Sequence, residues 1–219
     1  MLDDDFLLPS MADLRIALLN ARQKEEAVAY FHSLGFVHIA LPSATGRKLR
    51  AHIWRDRTPA TQPGEGIHNH SFRFSSLVLE GVIQHQPFKI NNVPFNRAGA
   101  MPLYEVIQEG QHTRLIDTGR RIRAMPETAQ SYGAGESYSF PAGDFHTSQH
   151  LGSGRAITIL CCEKVENSVS YMVGDKGSAL RSALRKKGLP QRQILGLLDA
   201  VEAALDRCEQ ANGGLRHEI

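Results

Sequence analysis

The chain has 219 residues, and its 25 Lys and Arg nearly balance its 23 Asp and Glu, leaving a formal net charge of only +2. This balance argues against a strongly basic nucleic-acid surface, and a hydrophobic content of 42% is typical of a globular rather than a disordered protein. No apolar stretch reaches the ~18–20 residues of a membrane span, and three cysteines without scaffold spacing argue against a disulfide-stapled fold.

The N-terminal region is predicted to form two short helices. Ser10 is a suitable N-cap for the first, because its side chain can accept a hydrogen bond from the first turn. The second is predicted over about 23–34, where three apolar residues would share one helical face: Ala27, Tyr30 and Phe31. The acidic residues 3–5 differ from the basic start of a secretion signal, so we expect a cytoplasmic protein.

From residue 36 to about 164, short alternating runs are separated by Gly, Pro and Asn clusters, which favours an antiparallel sandwich or barrel. The clearest run is 48–55. It places three apolar residues on one face, Leu49, Ala51 and Ile53, and a different set on the other, Arg50, His52 and Trp54. Further strands are predicted at 70–80, 82–90, 102–108, 113–117, 137–141 and 155–162.

After Gly174 the pattern is helical again. A short basic helix is predicted at 178–187, and Pro190 begins a longer one with apolar residues at helical spacing. The chain is therefore divided into three parts: an N-terminal helical segment, a β-barrel and a C-terminal helical segment, at 1–45, 46–173 and 174–219.

Two motifs carry the chemistry. In the first, residues 66–70, His68 and His70 are two positions apart, so a strand would point both imidazoles to one side. In the second, residues 135–146, a glycine is followed after five residues by Pro141, then by Gly143 and by His146. Pro141 and Gly143 predict a tight turn, after which His146 begins the next strand.

Together the two motifs resemble the paired signatures of the cupin superfamily, with Gly81 matching the close of the first. The resemblance covers about residues 46–163. It implies a mostly β fold, the cupin double-stranded β-helix or jelly-roll barrel, here with N-terminal and C-terminal α-helices. It also implies one divalent metal held inside the barrel by His68, His70 and His146. Imidazole nitrogens suit Fe, Zn, Ni or Cu, and three such ligands leave open positions.

The sequence departs from the common cupin pattern at one place. Most metal cupins carry a glutamate four or five residues after the second histidine, whereas this chain has Phe74 and Ser75. The ligand set therefore resembles that of cysteine dioxygenase and other thiol dioxygenases, which use non-haem Fe(II) and O₂. Their second-sphere His and Tyr have no counterpart in residues 156–162, and in this respect the chain is more similar to uncharacterised bacterial cupins.

Other residues are candidates for the lining of the cavity. Arg50 could clamp a substrate carboxylate, or form a salt bridge at the barrel rim. His52 could act on substrate or be a hydrogen-bonded core histidine, and His85 lies on a strand of uncertain facing. Phe72 and Phe74 alternate with His70 and are expected to line the cavity, although core residues would show the same pattern. His150 is a candidate for the second shell or for a surface turn.

The sequence predicts a non-haem Fe(II) dioxygenase or oxygenase acting, with O₂, on a small anionic substrate such as a thiol, carboxylate or amino-acid derivative. Fe(II) is the expected metal, with Zn, Ni and Cu as alternatives, and no catalytic residue is assigned. A non-redox isomerase, lyase or hydrolase, and a non-enzymatic ligand-binding or regulatory cupin, remain alternatives. A membrane partner is not expected, nucleic acid is disfavoured, and a homodimer is the default oligomer.

Overall fold

The computed structural model describes residues 8–23, 27–32, 34–43, 46–55, 66–109, 112–174 and 188–214. These residues form two helices and twelve strands, which we number in chain order. No helix among them combines the length and apolar character needed to cross a membrane.

The elements follow one another with the two helices at the ends of the described chain. Their bounds are α1 Met11–Gln23, β1 Val28–Phe31, β2 Phe36–Leu41, β3 Lys48–Trp54, β4 Phe72–Glu80, β5 Val82–Asn92, β6 Met101–Glu109, β7 His112–Pro126, β8 Gln130–Tyr132, β9 Ser137–Phe140, β10 Phe145–Leu151, β11 Ala156–Lys164, β12 Tyr171–Val173 and α2 Gln191–Gly214.

The described strands form two antiparallel sheets. The first has the order β1-β2-β3-β11-β4-β9, and the second has the order β10-β5-β7-β6-β12, with β8 pairing beside β5. A mostly β sandwich with a helix before and after it confirms the predicted fold class.

Side chains alternate between the two faces of the first sheet, and each face packs in a different cluster. Leu49, Ala51 and Ile53 on β3 pack with the buried faces of α1 and α2 in one apolar core. Trp54 faces the opposite way and packs with Phe36 and with Ile83 of the second sheet. We call the space between the two sheets the barrel interior. The predicted two faces of β3 are therefore confirmed, and the helices cover the outer face of this sheet.

The adjacent cysteines of β11 show the same division. Cys161 belongs to the core shared with the helices, whereas Cys162 packs with Phe74 and Leu160 on the other face. Burial raises the pKa of the Cys162 thiol to about 11, so this thiol is protonated at neutral pH.

The two helices are held to each other by ion pairs as well as by the core. Arg15 of α1 pairs with Asp206 of α2 at 2.7 Å, and Arg22 pairs with Asp199 at 2.6 Å. Ser10 caps α1 as predicted, since its Oγ accepts a hydrogen bond from the backbone N–H of Asp13 at 3.1 Å.

The helix predicted over 23–34 is wrong, because residues 28–31 form β1 and pair antiparallel with β2. Only Ala29 of β1 is fully buried, while Val28 and Phe31 are exposed. The apolar segment is too short for its periodicity to distinguish a helix from a strand, and its β-branched and aromatic residues favour the strand. The segment 1–45, expected to be helical, thus also contributes β1 and β2 to the first sheet.

The C-terminal prediction is confirmed for the long helix, which begins directly after Pro190. The short basic helix predicted at 178–187 lies outside the described residues.

Gly81 connects β4 to β5 with a single residue. Its φ is +76°, and a Cβ at this position would lie 2.6 Å from the carbonyl oxygen of Arg155. Only glycine tolerates both the left-handed backbone and this close approach. The glycine that closes the first motif is therefore a structural requirement of the turn.

Candidate metal centre

The two motifs meet through their backbones. The N–H of His68 donates to the carbonyl oxygen of His146 at 3.1 Å, and the N–H of His146 donates back to His68 at 2.9 Å. The N–H of Gly143 donates to the carbonyl oxygen of His70 at 3.0 Å, so the turn of the second motif is attached to the first motif as well. Ordinary antiparallel pairing thus places the histidines side by side.

The three predicted ligand histidines form one cluster. One ring nitrogen each from His68, His70 and His146 lie within 4.8 Å of one another. The ring centroids are 4.7 Å apart for His68 and His70, 4.6 Å for His68 and His146, and 5.1 Å for His70 and His146. His146 is buried, whereas His68 and His70 are half-buried and remain reachable from solvent.

The imidazoles are neutral and partly oriented. Burial lowers the pKa of His68, and it lowers the pKa of His70 and of His146 well below the usual range, with neighbouring histidines adding to the effect. The Nδ1–H of His68 donates to the carbonyl oxygen of Gly66 at 2.7 Å, which leaves Nε2 as the free ligand atom. This donor set fits a divalent transition metal.

The position of the missing carboxylate is occupied by an aromatic ring. Phe74 is buried, with its ring centroid 5.8 Å from His70 and 5.9 Å from His146. Ser75 lies on the opposite side of β4, where its Oγ is 2.6 Å from the Oγ of Ser139. Glu80, the next acidic residue along β4, is paired with Arg155 and Arg207. No carboxylate joins the histidine cluster among the residues that the structure describes.

Arg50 and Phe72 extend the site along the barrel interior. The ring of Phe72 stacks on His70 with centroids 4.4 Å apart, and the guanidinium carbon of Arg50 lies 4.7 Å from the centroid of Phe72. Within the described parts of the chain, Arg50 has no carboxylate partner. The salt bridge considered as its alternative role is therefore not seen there.

His85 is a buried imidazole beside the cluster. Its ring stacks on His146 with centroids 4.7 Å apart, and its Nδ1 is hydrogen-bonded to the Oγ of Ser148 at 3.1 Å. Its Nε2 is buried and has no hydrogen-bond partner in the described structure. Burial lowers the pKa of His85 to about 4, so the ring is neutral at neutral pH.

His52 and His150 lie farther from the cluster. His52 packs among aromatic rings, 4.3 Å from Phe36 and 5.3 Å from His38 between centroids. His150 is buried opposite Ile83, about 13 Å along β10 from His146 by ordinary strand geometry. In the described structure, neither a ring contact nor a hydrogen bond joins His150 to the cluster.

The structure adds residues that the sequence analysis did not single out. Tyr138 lies with its ring centroid 5.3 Å from His85, and burial raises the pKa of its hydroxyl to about 12. Ser148 shares the face of His146 two positions later, a relation that strand alternation could have revealed. Asn69 could be found in the same way, as the residue between the two histidines that must face away from them.

No protein-family model matches the chain, and no curated protein sequence matches it. Among solved structures, hydroxypropylphosphonic acid epoxidase from S. wedmorenis is similar at a TM-score of 0.38 and 14% identity, over 63% of this chain and 55% of that chain. A variant of oxalate decarboxylase from Bacillus subtilis is similar at a TM-score of 0.35 and 14% identity, over 66% of this chain and 30% of that chain. Pumpkin seed globulin is similar at a TM-score of 0.35 and 12% identity, over 63% of this chain and 32% of that chain.

These neighbours are cupin-fold proteins. The chain spans about half the length of the epoxidase and less than a third of the length of the other two proteins. Identities and TM-scores at this level are too low for an activity or a metal to be transferred from them.

Proposed function

We propose that the protein binds one divalent metal, Fe(II), through His68, His70 and His146, and acts as a non-haem iron oxygenase on a small anionic molecule. The observation that carries the proposal is the cluster of three neutral imidazoles with Phe74 at the position where a carboxylate ligand is missing. Such a metal would supply its uncancelled 2+ charge and open coordination positions for a substrate anion and for O₂.

The protein keeps the ligand atoms ready for the metal. Because the pKa values of the three histidines are lowered, their rings need not lose a proton at neutral pH before they bind. The hydrogen bond from His68 to Gly66 orients the His68 ring. Backbone hydrogen bonds between His68 and His146, and between Gly143 and His70, hold the two motifs together. Pre-arranged ligands reduce the ordering cost of binding.

Arg50 would bind the anionic group of the substrate. Its guanidinium has no described carboxylate partner and stacks over Phe72, which itself stacks on His70. A planar guanidinium binds carboxylates in a bidentate manner and stays charged at every relevant pH. A substrate that bridges the histidine cluster and Arg50 therefore needs a metal-binding end and an acidic end, as in a small thiol acid or an amino-acid derivative.

Two further groups would contact the substrate. Phe72 and Phe74 form apolar walls beside the cluster and would contact the apolar part of the substrate. The Nε2 of His85 lacks a partner, so a polar group of the substrate would satisfy it. His52 lies on the same face of β3 as Arg50 and is the more distant candidate for contact with the substrate.

Two broader features complete the proposal. Cys161, Cys162 and Cys208 are buried, and among the described residues no disulfide joins them, as expected for the reducing cytoplasm. A homodimer is the commonest soluble oligomer, and sedimentation equilibrium of the purified protein would test it.

The test is oxygen consumption by the iron-loaded protein in an oxygen electrode. The panel contains small thiols, carboxylic acids and amino-acid derivatives, each beside its neutral amide. We expect uptake with at least one acid and little with its amide. Replacing Arg50 by Gln should raise KM about 10- to 100-fold, because the variant loses a charged hydrogen bond to the substrate. The metal content should be unchanged.

The matched control is Arg114→Gln, which removes an exposed arginine that is paired with Glu109 on the β6–β7 hairpin. Its kinetics should equal those of the unaltered protein. Oxygen uptake no greater than that of the metal-free protein across the whole panel would contradict the oxygenase proposal. Native zinc or nickel together with turnover in the absence of O₂ would assign a non-redox reaction instead.

A further inference from the structure

The second sheet closes on itself behind the histidine cluster. His68 forms antiparallel bridges both to His146 of β10 and to Met172 of β12. Since β10 and β12 are the two edges of the second sheet, the segment around residue 68 joins them. The β6–β7 hairpin and β12 therefore enclose a second interior, separate from the barrel interior that holds the histidines.

The contacts of residues 67–70 assign them to the two sides of this segment, in which His68 forms isolated bridges. His68 and His70 face the barrel interior, whereas Ile67 and Asn69 face the second interior. Ile67 packs there in an apolar cluster whose other fully buried members are Leu103, Ile122 and Val173. The side chain of Asn69 donates to the carbonyl oxygen of Gly143 at 2.9 Å and accepts from the N–H of Tyr171.

A cleft of about 340 Å³, which we call the rear cavity, lies at the edge of the second interior and is open to solvent. Its apolar lining comes from Ile90, Leu103, Phe145 and Tyr171, and Asn69 contributes to the same lining. This volume lies at the lower end of the range of sites for small organic ligands, and Asn167 and Ser168 add polar groups to the lining.

Arg120 lines the rear cavity from the exposed side. Its Nε donates to the Oδ1 of Asn92 at 3.1 Å, and no carboxylate pairs with it in the part of the chain that the structure describes. An unpaired guanidinium beside an aromatic lining suits a ligand with an acidic group on an apolar body.

We propose that the rear cavity is a second ligand site, which takes a small apolar anion with its acidic group on Arg120. Asn69 ties the ligand histidines to Gly143 and to β12, so occupancy of the rear cavity changes the affinity of the histidine cluster for metal. This coupling rests on the proposed metal site, whereas ligand binding in the rear cavity does not.

The first experiment titrates the metal-free protein with 8-anilinonaphthalene-1-sulfonate, an apolar aromatic anion, and follows its fluorescence. We expect saturable binding that is about tenfold weaker in Arg120→Gln, the loss of one charged hydrogen bond. Val169→Trp should abolish binding, because Val169 lines the rear cavity and is 37% exposed, so the larger ring fills the space without disturbing a core.

Arg114→Gln is the matched control, since Arg114 is an exposed arginine that is paired with Glu109 and does not line the rear cavity, and its replacement should leave dye binding unchanged. Circular dichroism and thermal melting confirm that each variant is folded. Equal affinity in Arg120→Gln and the unaltered protein, or loss of binding in Arg114→Gln instead, would overturn the rear cavity as the site.

The second experiment repeats the titration with saturating Zn²⁺ in the unaltered protein and in His146→Ala. We expect Zn²⁺ to change dye affinity about fivefold in the unaltered protein and not in the variant. Unchanged affinity in protein that holds its zinc would overturn the coupling. Failure of the protein to hold any metal would count against the proposed function and the coupling together, while the dye titration still decides the rear cavity.

Discussion

His68 and His146 exchange both backbone hydrogen bonds, at 3.1 and 2.9 Å, although they lie in separate motifs of the sequence. The spacing between these two ligand residues is thus set by strand pairing and does not require a metal to draw them together. A site built in this way can lose one imidazole without losing the backbone frame that holds the others. Substitutions in the cluster should therefore act on metal binding more than on folding.

Replacing Phe74 by Glu should supply the carboxylate that the cluster lacks. Phe74 is 3% exposed and lies beside both His70 and His146. The metal-free variant therefore carries an unpaired buried acid and should be less stable by about 2–4 kcal/mol. A bound metal would pair with that acid. The rise in Tm on adding metal, measured by calorimetry, should therefore exceed that of the unaltered protein.

Phe74→Gln is the control, because it has the same size as the glutamate without the charge. It should lose stability in the metal-free state but gain no additional metal-dependent rise in Tm. Equal metal-dependent shifts in the two variants would contradict the placement of Phe74 beside the metal.

The stability of the metal-free protein should fall on acidification, partly because of His85. Its pKa is about 4 in the folded protein and ~6.5 in the unfolded chain, so between these values only the unfolded state takes up the proton. The contribution of His85 is fully present above pH 6.5 and is lost as the pH falls toward 4. Lowering the pH from 7.5 to 5.0 should therefore reduce the free energy of unfolding by roughly 2 kcal/mol through His85.

Urea denaturation at the two pH values measures this effect, and His85→Phe separates it from the other histidines. Phenylalanine keeps a ring against His146 and Phe140 but cannot be protonated. The loss of stability between pH 7.5 and 5.0 should be smaller by roughly 2 kcal/mol in the variant. The same loss in both proteins would show that His85 titrates normally.

The C-terminal helix α2 should be an integral part of the fold. Leu198 is fully buried in the core shared by both helices and the first sheet, so Leu198→Ala should cost about 2–5 kcal/mol in urea denaturation. Leu195, in the same helix, is 37% exposed, and its replacement by Ala should cost less than about 1 kcal/mol. Equal effects at the two positions would contradict the packing of α2 on the sheet.

Local patterns were sufficient to predict the two histidine motifs, whereas their meeting in one cluster was implied only by the resemblance to the paired cupin signatures. His68 and His70 point to one cluster as their spacing predicts, although β4 begins only at Phe72 and His68 forms isolated bridges. The turn at Pro141 and Gly143 places His146 at the start of a strand. The two faces of β3 followed from alternation for the same reason. These features depend on neighbours in the chain, which a sequence displays directly.

Features that depend on distant pairing could not be predicted in this way. The bridge from His68 to Met172, which closes the second sheet, leaves no local signal in either segment. The sequence of β1 predicts a helix because a few apolar residues fit both periods, and only its pairing with β2 decides between helix and strand. The stacking of His85 on His146 likewise follows from the register of β5 against β10.

The central claim is that His68, His70 and His146 hold one metal ion. The most direct test is the metal content of protein purified without a histidine tag, measured by plasma mass spectrometry for the unaltered chain and for His146→Ala. The proposal predicts about one iron per chain, lost in the variant while circular dichroism shows the fold retained. The absence of any divalent metal from the unaltered protein, even after reconstitution with iron, would contradict it.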